Sequence, residues 1–412
     1  MTAALAPIDA CRACGSSRLQ TFLALGDLPP SDAFIAPEAL ARVEARYPLD
    51  VAFCPDCTLV QILHTVPPEE LFAADYPYFS SVIDALVRHA ADNVAARIEE
   101  RGLGRDSLVI ELASNDGYLL QHYLAAGIGV LGIDPTPGPV AAARAKGIDS
   151  LQAFFGQQLA DELAGGGRRA DVIHANNVLA HVADTNGFVR GIATLLKDDG
   201  VAVLEMHYVR DLIDKGQFDT IYHEHLCYFS VTALDRLFAQ HGLFLNRVER
   251  IDIHGGSLRV FAERRPAREP SVDALLREER ELGMDGFAYY AGFARRVEAI
   301  RDSLQKLLGD LKASGASVAG YGAAAKGTIL LNYVGIGPET LEYVVDRNRF
   351  KQGKWIPGVR LPILAPETLI ERQPDYVLIL PWNFQEEIVG QQAAYVERGG
   401  RFIVPIPEPM VL

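Results

Sequence analysis

Several features common in proteins are scarce or missing here, and each absence removes a class of explanation. Cysteine is rare: five residues among 412 are too few for a disulfide framework. No run of 18 apolar residues exists, so no membrane-spanning helix and no membrane partner are expected. The opening MTAALAPIDACRACG has neither the basic start nor the long apolar core of a secretory signal, so the expected location is cytoplasmic. Positive charge is in deficit. With 39 Lys and Arg against 53 Asp and Glu the net charge is −14, which argues against nucleic acid as a partner. What remains is ordinary for a soluble globular protein: 49% hydrophobic and 22% charged residues, on a chain long enough for two or three domains.

Glycine is scarce in the stretch Leu108–Leu120, LVIELASNDGYLL, where only Gly117 occurs. An apolar run carrying Glu111 ends in the small polar turn Ala113-Ser114-Asn115-Asp116-Gly117, and a helix-like pattern starts at Tyr118. Strand, tight turn and helix N-terminus form the place where an open α/β sheet binds a nucleotide-like ligand. The turn is not GxGxxG, which disfavours a pyrophosphate. Its acidic form suits a ligand with an ammonium group, and S-adenosylmethionine fits that description. Glu111 can bond the ammonium. Asp134, ending the next apolar run, can accept from two ribose hydroxyls. An ordinary βα turn without a ligand is the plain alternative. Candidate cofactor contacts are Glu111, Ala113, Asn115, Asp116, Gly117, Asp134, Pro135, Phe155, Asn176 and Asn177.

From residue 107 strands and helices alternate: Leu108–Leu112, Val130–Asp134, Ile148–Phe155, Asp171–Ala175 and Gly200–His207 read as strands. Helices are expected at Tyr118–Leu124, Val140–Lys146 and from Gln157. This predicts a parallel sheet covered on both faces, with ligands beyond the carboxyl ends of its strands. Four of the five cysteines, Cys11/Cys14 and Cys54/Cys57, form two CxxC pairs. Converging pairs give a closed, all-thiolate, structural zinc site; a redox dithiol or unrelated surface cysteines are the competing readings. Between this module and the sheet lies DYPYFSS (75–81), where Tyr76, Tyr78 and Ser80 could lie over a ligand or merely join two domains. A helix follows at Val82–Glu100.

Further on, Tyr222-His223-Glu224-His225 places four proton-exchanging or hydrogen-bonding groups in a row. A histidine oriented by a carboxylate suits general-base chemistry. Metal ligation competes, although HEH lacks the spacing of HExxH, and a structural loop is the third reading. The run Ile251–Phe261 reads as two strands turning at Gly255-Gly256 and presenting His254, Ser257 and Arg259. Residues 265–314 read as linking helices. A second Rossmann-like unit opens at Ala316, with a Gly/Ala-rich turn, Lys326, a helix at Thr328–Tyr333 and strands at Leu341–Val345 and Tyr376–Leu380. Candidate substrate contacts there are Tyr321, Lys326, Arg347, Asn348, Lys351, Trp382 and Asn383, joined by His207 from the first sheet. The expected organisation is a zinc-binding domain (1–75), a class I methyltransferase-like α/β domain (76–264), and a helical linker with a Rossmann-like domain (265–412).

These motifs together, in this order, resemble the sugar C-methyltransferases that modify nucleotide-linked 4-keto-deoxysugars. The likeness covers CxxC…CxxC, ELASNDGY, YHEHLCYFS, IHGGSLRV, GYGAAAKG, VDRNRFKQGKWIPG and PWNFQEEI. It implies S-adenosylmethionine, a structural zinc and a dTDP-sugar or similar substrate held between domains. It also implies that Tyr76, His181, Tyr222, Glu224 and His225 line the reaction site. The expected mechanism is proton removal beside a carbonyl by His225, with Glu224 orienting it. Tyr222 or His181 would steady the enolate, and the carbanion would take the methyl group. A nucleotide-sugar epimerase using the same enolate, a non-catalytic zinc-containing binding protein, and O- or N-methylation are the alternatives. A monomer or weak dimer is expected.

Overall fold

The computed structural model describes residues 5–71 and 79–412. Tyr76 and Tyr78 lie outside them. Three sheets organise the chain. The first contains β1 (Gln20–Leu28), β2 (Tyr47–Phe53) and β3 (Val60–Ile62), all antiparallel neighbours. The second begins with β4 (Leu108–Leu112), β5 (Gly129–Asp134), β6 (Ser150–Gln152), β7 (Ala170–Asn176) and β8 (Leu196–His207). The two-residue strand β9 (Cys227–Tyr228) does not join them. It pairs with β3, so the YHEHLCYFS segment is sewn to the sheet of the zinc module.

The second sheet is completed by the hairpin β10 (Phe244–Ile251) and β11 (Ser257–Glu263). Its order is β6-β5-β4-β7-β8-β11-β10, parallel from β6 to β8 and antiparallel between β8 and β11. That is the class I methyltransferase sheet, and the strand order reverses between β4 and β7, where a ligand crevice opens. Two expectations change in detail. The hairpin turns at Gly255-Gly256 as expected, but its first arm runs back to Phe244. The third strand shrinks to Ser150–Gln152.

The third sheet contains β12 (Val318–Tyr321), β13 (Val344–Val345), β14 (Ile363–Leu364), β15 (Tyr376–Ile379), β16 (Arg401–Val404) and β17 (Met410–Val411). Its order is β14-β13-β12-β15-β16-β17, parallel except for the last pair, as in a Rossmann-like unit. The two α/β sheets repeat one local device. Asp134 at the tip of β5 accepts from the amides of Asn115 (2.9 Å) and Thr136 (2.8 Å). Asp346, just after β13, accepts from those of Ala323 (2.7 Å) and Asn348 (2.7 Å). In each case the acid ties its own strand tip to the neighbouring βα turn.

Buried contacts join the three sheets around one region. Trp355 exchanges backbone hydrogen bonds with Ile35, both 2.9 Å, and Thr328 Oγ1 donates to the Ser31 carbonyl at 2.9 Å. Glu279, on the helix Pro270–Glu281, is buried and accepts from the amides of Val231 and Thr232 and from the Tyr208 hydroxyl. It thereby supplies an anion to the N-terminus of the helix Val231–Gln240. No helix among the described residues is long and apolar enough to cross a membrane.

Candidate active site and zinc centre

The four thiols of Cys11, Cys14, Cys54 and Cys57 lie within 4.8 Å of one another. Cys11 and Cys57 sulfurs are 3.5 Å apart, and those of Cys14 and Cys54 3.6 Å. Such separations exclude disulfides and are close to the roughly 3.8 Å edge of a tetrahedron with metal–sulfur bonds of about 2.3 Å. The two knuckles are built alike. In each, the residue after the second cysteine is left-handed (Gly15, φ 73°; Thr58, φ 65°) and its amide donates to the carbonyl of the first cysteine. The donor set fits zinc, and with no ligand position left over its role is structural. Cys227 is not part of it. It lies buried in β9 with its thiol pushed up to about 12 by burial, which makes it inert.

At the tip of β4 the turn holds three left-handed residues, Ala113 (φ 56°), Asn115 (φ 49°) and Gly117 (φ 77°). Ala113 in that region is strained, as backbone at functional sites often is. Glu111 is buried, and its Oε2 has no hydrogen-bond partner among the described residues. Burial pushes its carboxyl well above the usual range, and Asp134, Asp116 and Glu205 add to the push. A buried acid among other acids, with an unfilled oxygen, is a receptor for a cation. Asn176 Oδ1 and Asn177 Oδ1, at the tip of β7, are likewise buried without partners. Asn177 is left-handed (φ 53°), its amide tied to the Glu205 carbonyl at 2.7 Å. Pro135 follows Asp134 directly, and Phe155 packs edge-on against Phe188 at 5.2 Å. Asp116 also contacts Ser81 and Lys146, bracing the start of the helix Asp84–Arg101. Gly117 is demanded by packing, since a Cβ there would lie 2.2 Å from Ile148 Cδ1.

Past the ends of β7 and β8 lies a group of rings. His225 is the centre, with Tyr222 stacked at 3.9 Å between centroids, His181 at 4.7 Å and His207 at 5.3 Å. His207 continues to His254 at 5.6 Å. His225 is 3% exposed, while the other three imidazoles are partly exposed. Its Nδ1 lies 3.0 Å from the Thr220 carbonyl. A carbonyl can only accept, so Nδ1 carries the hydrogen and Nε2 presents its lone pair. Burial, then the neighbouring His181 and His207, hold His225 well below the ordinary imidazole range. Burial likewise lowers His181 and His254 to about 4.

Glu224 does not orient His225. Adjacent side chains of this irregular segment diverge, and Glu224 faces the loop of the zinc module at Ser31 and Asp32. Burial, with Asp32 close by, raises its carboxyl to about 7. Ser80 is buried, its amide donating to Asn115 Oδ1 at 2.9 Å. Arg259 is committed to Glu205 (2.7 Å) and Glu249 (3.3 Å), and Glu205 is shared with His89 at 2.9 Å. Ser257 Oγ donates within its hairpin to the Ile253 carbonyl at 3.0 Å.

From the third sheet, Lys326 Nζ donates to Asn383 Oδ1 at 2.9 Å and lies 4.6 Å over the Trp382 ring. Burial lowers its ammonium, against the pull of Asp219. Trp382 Nε1 donates to Asp219 Oδ2 at 2.7 Å and thereby locks the third sheet to the imidazole group. Arg347 is half exposed, 3.9 Å from Glu387, and Asn348 sits beside it. Lys351 and Tyr321 stand near the same turn but are committed to other partners. Lys351 is buried with Nζ on the Ala323 carbonyl at 2.8 Å, and Tyr321 packs in the sheet core. A cavity of about 500 Å³ opens beside His254, lined also by His89, Asn93, Arg259, Asn383 and Phe384.

Sequence reasoning missed Asp219, His89 and the pair Ser31-Asp32. Asp219 stands only three residues before Tyr222, but a role for it needs the Trp382 contact, 163 positions away.

Family models match three consecutive regions. They are a zinc-binding-domain model at residues 11–72, a methyltransferase-domain model at 85–246, and a C-methyltransferase C-terminal-domain model at 252–407. The C-methyltransferase NovU of Streptomyces niveus is 37% identical over 409 residues, 98% of this chain and 97% of that protein. The chain belongs to this C-methyltransferase family. It is therefore an S-adenosylmethionine-dependent C-methyltransferase with a small-molecule substrate and a zinc site, and the family decides against the epimerase and non-catalytic readings.

Other likenesses reach only part of the C-methyltransferase. Ubiquinone biosynthesis O-methyltransferase of Azorhizobium caulinodans is 27% identical over 143 residues, 34% of this chain and 52% of that protein. The S-adenosylmethionine-bound magnesium protoporphyrin IX methyltransferase of Synechocystis PCC 6803 is 18% identical. It covers 44% of this chain and 82% of its own, with a TM-score of 0.34, too low to carry an argument.

Proposed function

We propose that this C-methyltransferase acts on a nucleotide-linked 4-keto-deoxysugar, with dTDP as the expected carrier, and methylates the carbon beside the keto group. The observation that carries the reading is the tautomer of His225. With Nδ1–H held by the Thr220 carbonyl, Nε2 is a bare lone pair at the centre of the ring cluster.

A proton on carbon is removable only when a neighbouring carbonyl accepts the charge. His225 Nε2 takes that proton, and Tyr222 or His181 donates a hydrogen bond to the developing enolate oxygen, the role of an oxyanion hole. S-Adenosylmethionine supplies an electrophilic methyl group on a sulfonium, held by the acids at the tips of β4 and β5. The remaining work is alignment. Glu111 and Asp134 fix the methyl donor. Lys326, at the N-terminus of the helix Ala325–Val334, with Arg347 and Asn348 beyond it, provides donors and charge for the diphosphate.

His225→Asn is expected to reduce turnover about 10²–10⁴-fold while S-adenosylmethionine still binds. Because His225 sits below the ordinary imidazole range, wild-type activity is expected to persist to lower pH than a solvent-exposed histidine would allow. Mass spectrometry of dTDP-4-keto-6-deoxysugars incubated with enzyme and methyl donor reads the reaction. One added methylene per sugar is the expected product; near-normal turnover of His225→Asn would reject the base, and no methylation of any nucleotide keto-sugar would reject the substrate.

A further inference from the structure

Replacing C–H by C–CH₃ at the expense of a sulfonium releases one proton per turnover. In this protein that proton is set free in a closed place. His225 is 3% exposed, its Nδ1 is occupied by the Thr220 carbonyl, and Tyr222 covers one face of its ring. An imidazolium left there would stop the next cycle. Two imidazoles touch His225. His181 meets the backbone of Glu224 and Asn177. His207 leads outward, to His254 and the cavity beside it.

Resting on the reading of His225 as base, we propose that His207 and His254 form a proton relay that carries the released proton from His225 to the mouth of this cavity. The ring centroids are 5.3 and 5.6 Å apart and no direct hydrogen bond joins the rings, so each transfer runs through a bridging water. His225 Nε2–H gives its proton to the bare nitrogen of His207. His207 releases the proton on its other nitrogen to His254, and His254 passes one to water in the cavity. No electrons move, and both rings end in the neutral state after a tautomer exchange. The cavity is rimmed by Asp92 and Asp252, two exposed carboxylates suited to receive what leaves.

Two further observations fit a relay. The first is electrostatic. His207 faces His254, Lys326 and His181, while His254 faces Lys326, Glu205 and His89. Burial and these cations keep both rings neutral at rest, so a proton is passed on and not stored. The second is the backbone. His254 is left-handed (φ 55°), followed by Gly255 (φ 96°) and Gly256 (φ 126°). The turn is pinned from three sides: Lys215 Nζ (3.0 Å) and Gln217 Nε2 (2.8 Å) hold the Gly255 carbonyl, and a Cβ on Gly256 would lie 2.4 Å from Asp211 Oδ2. A strained residue so firmly held marks a position with a function.

The test is His254→Phe, which keeps an aromatic ring beside Phe384 and removes the nitrogens, assayed at neutral pH in increasing imidazole buffer. The expected result is a fall in kcat of about 10-fold or more, with kcat/KM for the sugar less affected, and recovery of kcat as buffer concentration rises. Wild-type kcat should not depend on buffer. His207→Phe should behave likewise, and the double variant should be no slower than the slower single one, as for two members of one path. An unchanged kcat, or a loss in both folded variants that no buffer restores, overturns the relay. His225→Asn, run in parallel, separates the two ideas. If it is inactive and the relay variants are normal, only the relay fails. If it turns over normally, the base assignment fails, and the buffer response of His254→Phe still reports whether the proton leaves this way.

Discussion

Among single residues, Glu111 has the clearest chemical signature. Its carboxyl is raised by burial and by three neighbouring acids, and it holds an oxygen without a partner. A group of that kind holds its proton to higher pH than an ordinary carboxyl and gives it up more readily when a cation arrives. Binding of S-adenosylmethionine should therefore release protons, and its affinity should rise with pH through the raised Glu111 range. Isothermal titration calorimetry in buffers of different ionisation enthalpy measures this directly. Glu111→Gln should weaken binding about 10- to 100-fold, the effect of losing a hydrogen bond to a charged group, and should flatten the pH dependence. Equal affinity for wild type and variant at all pH values would show that the ammonium is held elsewhere. Such charge logic was legible from ELASNDG alone. The orientation of Glu224 was not, because neighbours in sequence need not face the same way, and its partners Ser31 and Asp32 lie nearly 200 positions away.

At the level of the element, the two βα turns carry the site, and their glycines have distinct reasons to exist. Gly117 combines a φ of 77° with a Cβ position 2.2 Å from Ile148 Cδ1. Gly117→Ala should cost about 1–3 kcal/mol through backbone strain and overpacking, seen as a lower urea midpoint with an unchanged slope. An unaffected midpoint would mean that the helix after β4 shifts freely. The strands that make this framework were readable where a strand is buried on both faces, as in LVIEL or VAVLEMH, since these are mostly apolar runs interrupted only near their tips by Glu111, Glu205 and His207. β10, FLNRVERI, was missed over most of its length because it is the edge of the sheet and alternates buried with charged residues. β13 was read as Leu341–Val345 and keeps only its last two residues.

Across the whole molecule, the zinc module acts on the site through a seam. β3 pairs with β9, and Ile62 donates its amide to the Leu226 carbonyl at 3.0 Å, one residue from His225. The turns proposed to hold S-adenosylmethionine stand on β4, β5 and β7, in a different sheet. Removing the metal with a chelator should thus lower turnover more than it lowers affinity for the methyl donor, and adding zinc back should restore it. Parallel assays of metal content, binding and turnover would decide; full activity after complete metal loss would deny the seam any role. The paired CxxC motifs made the metal legible in the sequence. Its connection to the YHEHLCYFS segment was not, because nothing local marks a strand two residues long.

The same seam sets an order of events during synthesis. Residues 60–62 leave the ribosome about 165 residues ahead of their partner, a delay of roughly 10–30 s at ordinary elongation rates. Throughout that interval β3, apolar and unpaired, is an open edge of the kind that recruits other chains. A nascent chain halted before residue 227 would carry a metal-loaded module that is complete in its ligands and unfinished in its sheet, and grafting the module onto another methyltransferase would reproduce that defect unless the strand at 227–228 travelled with it.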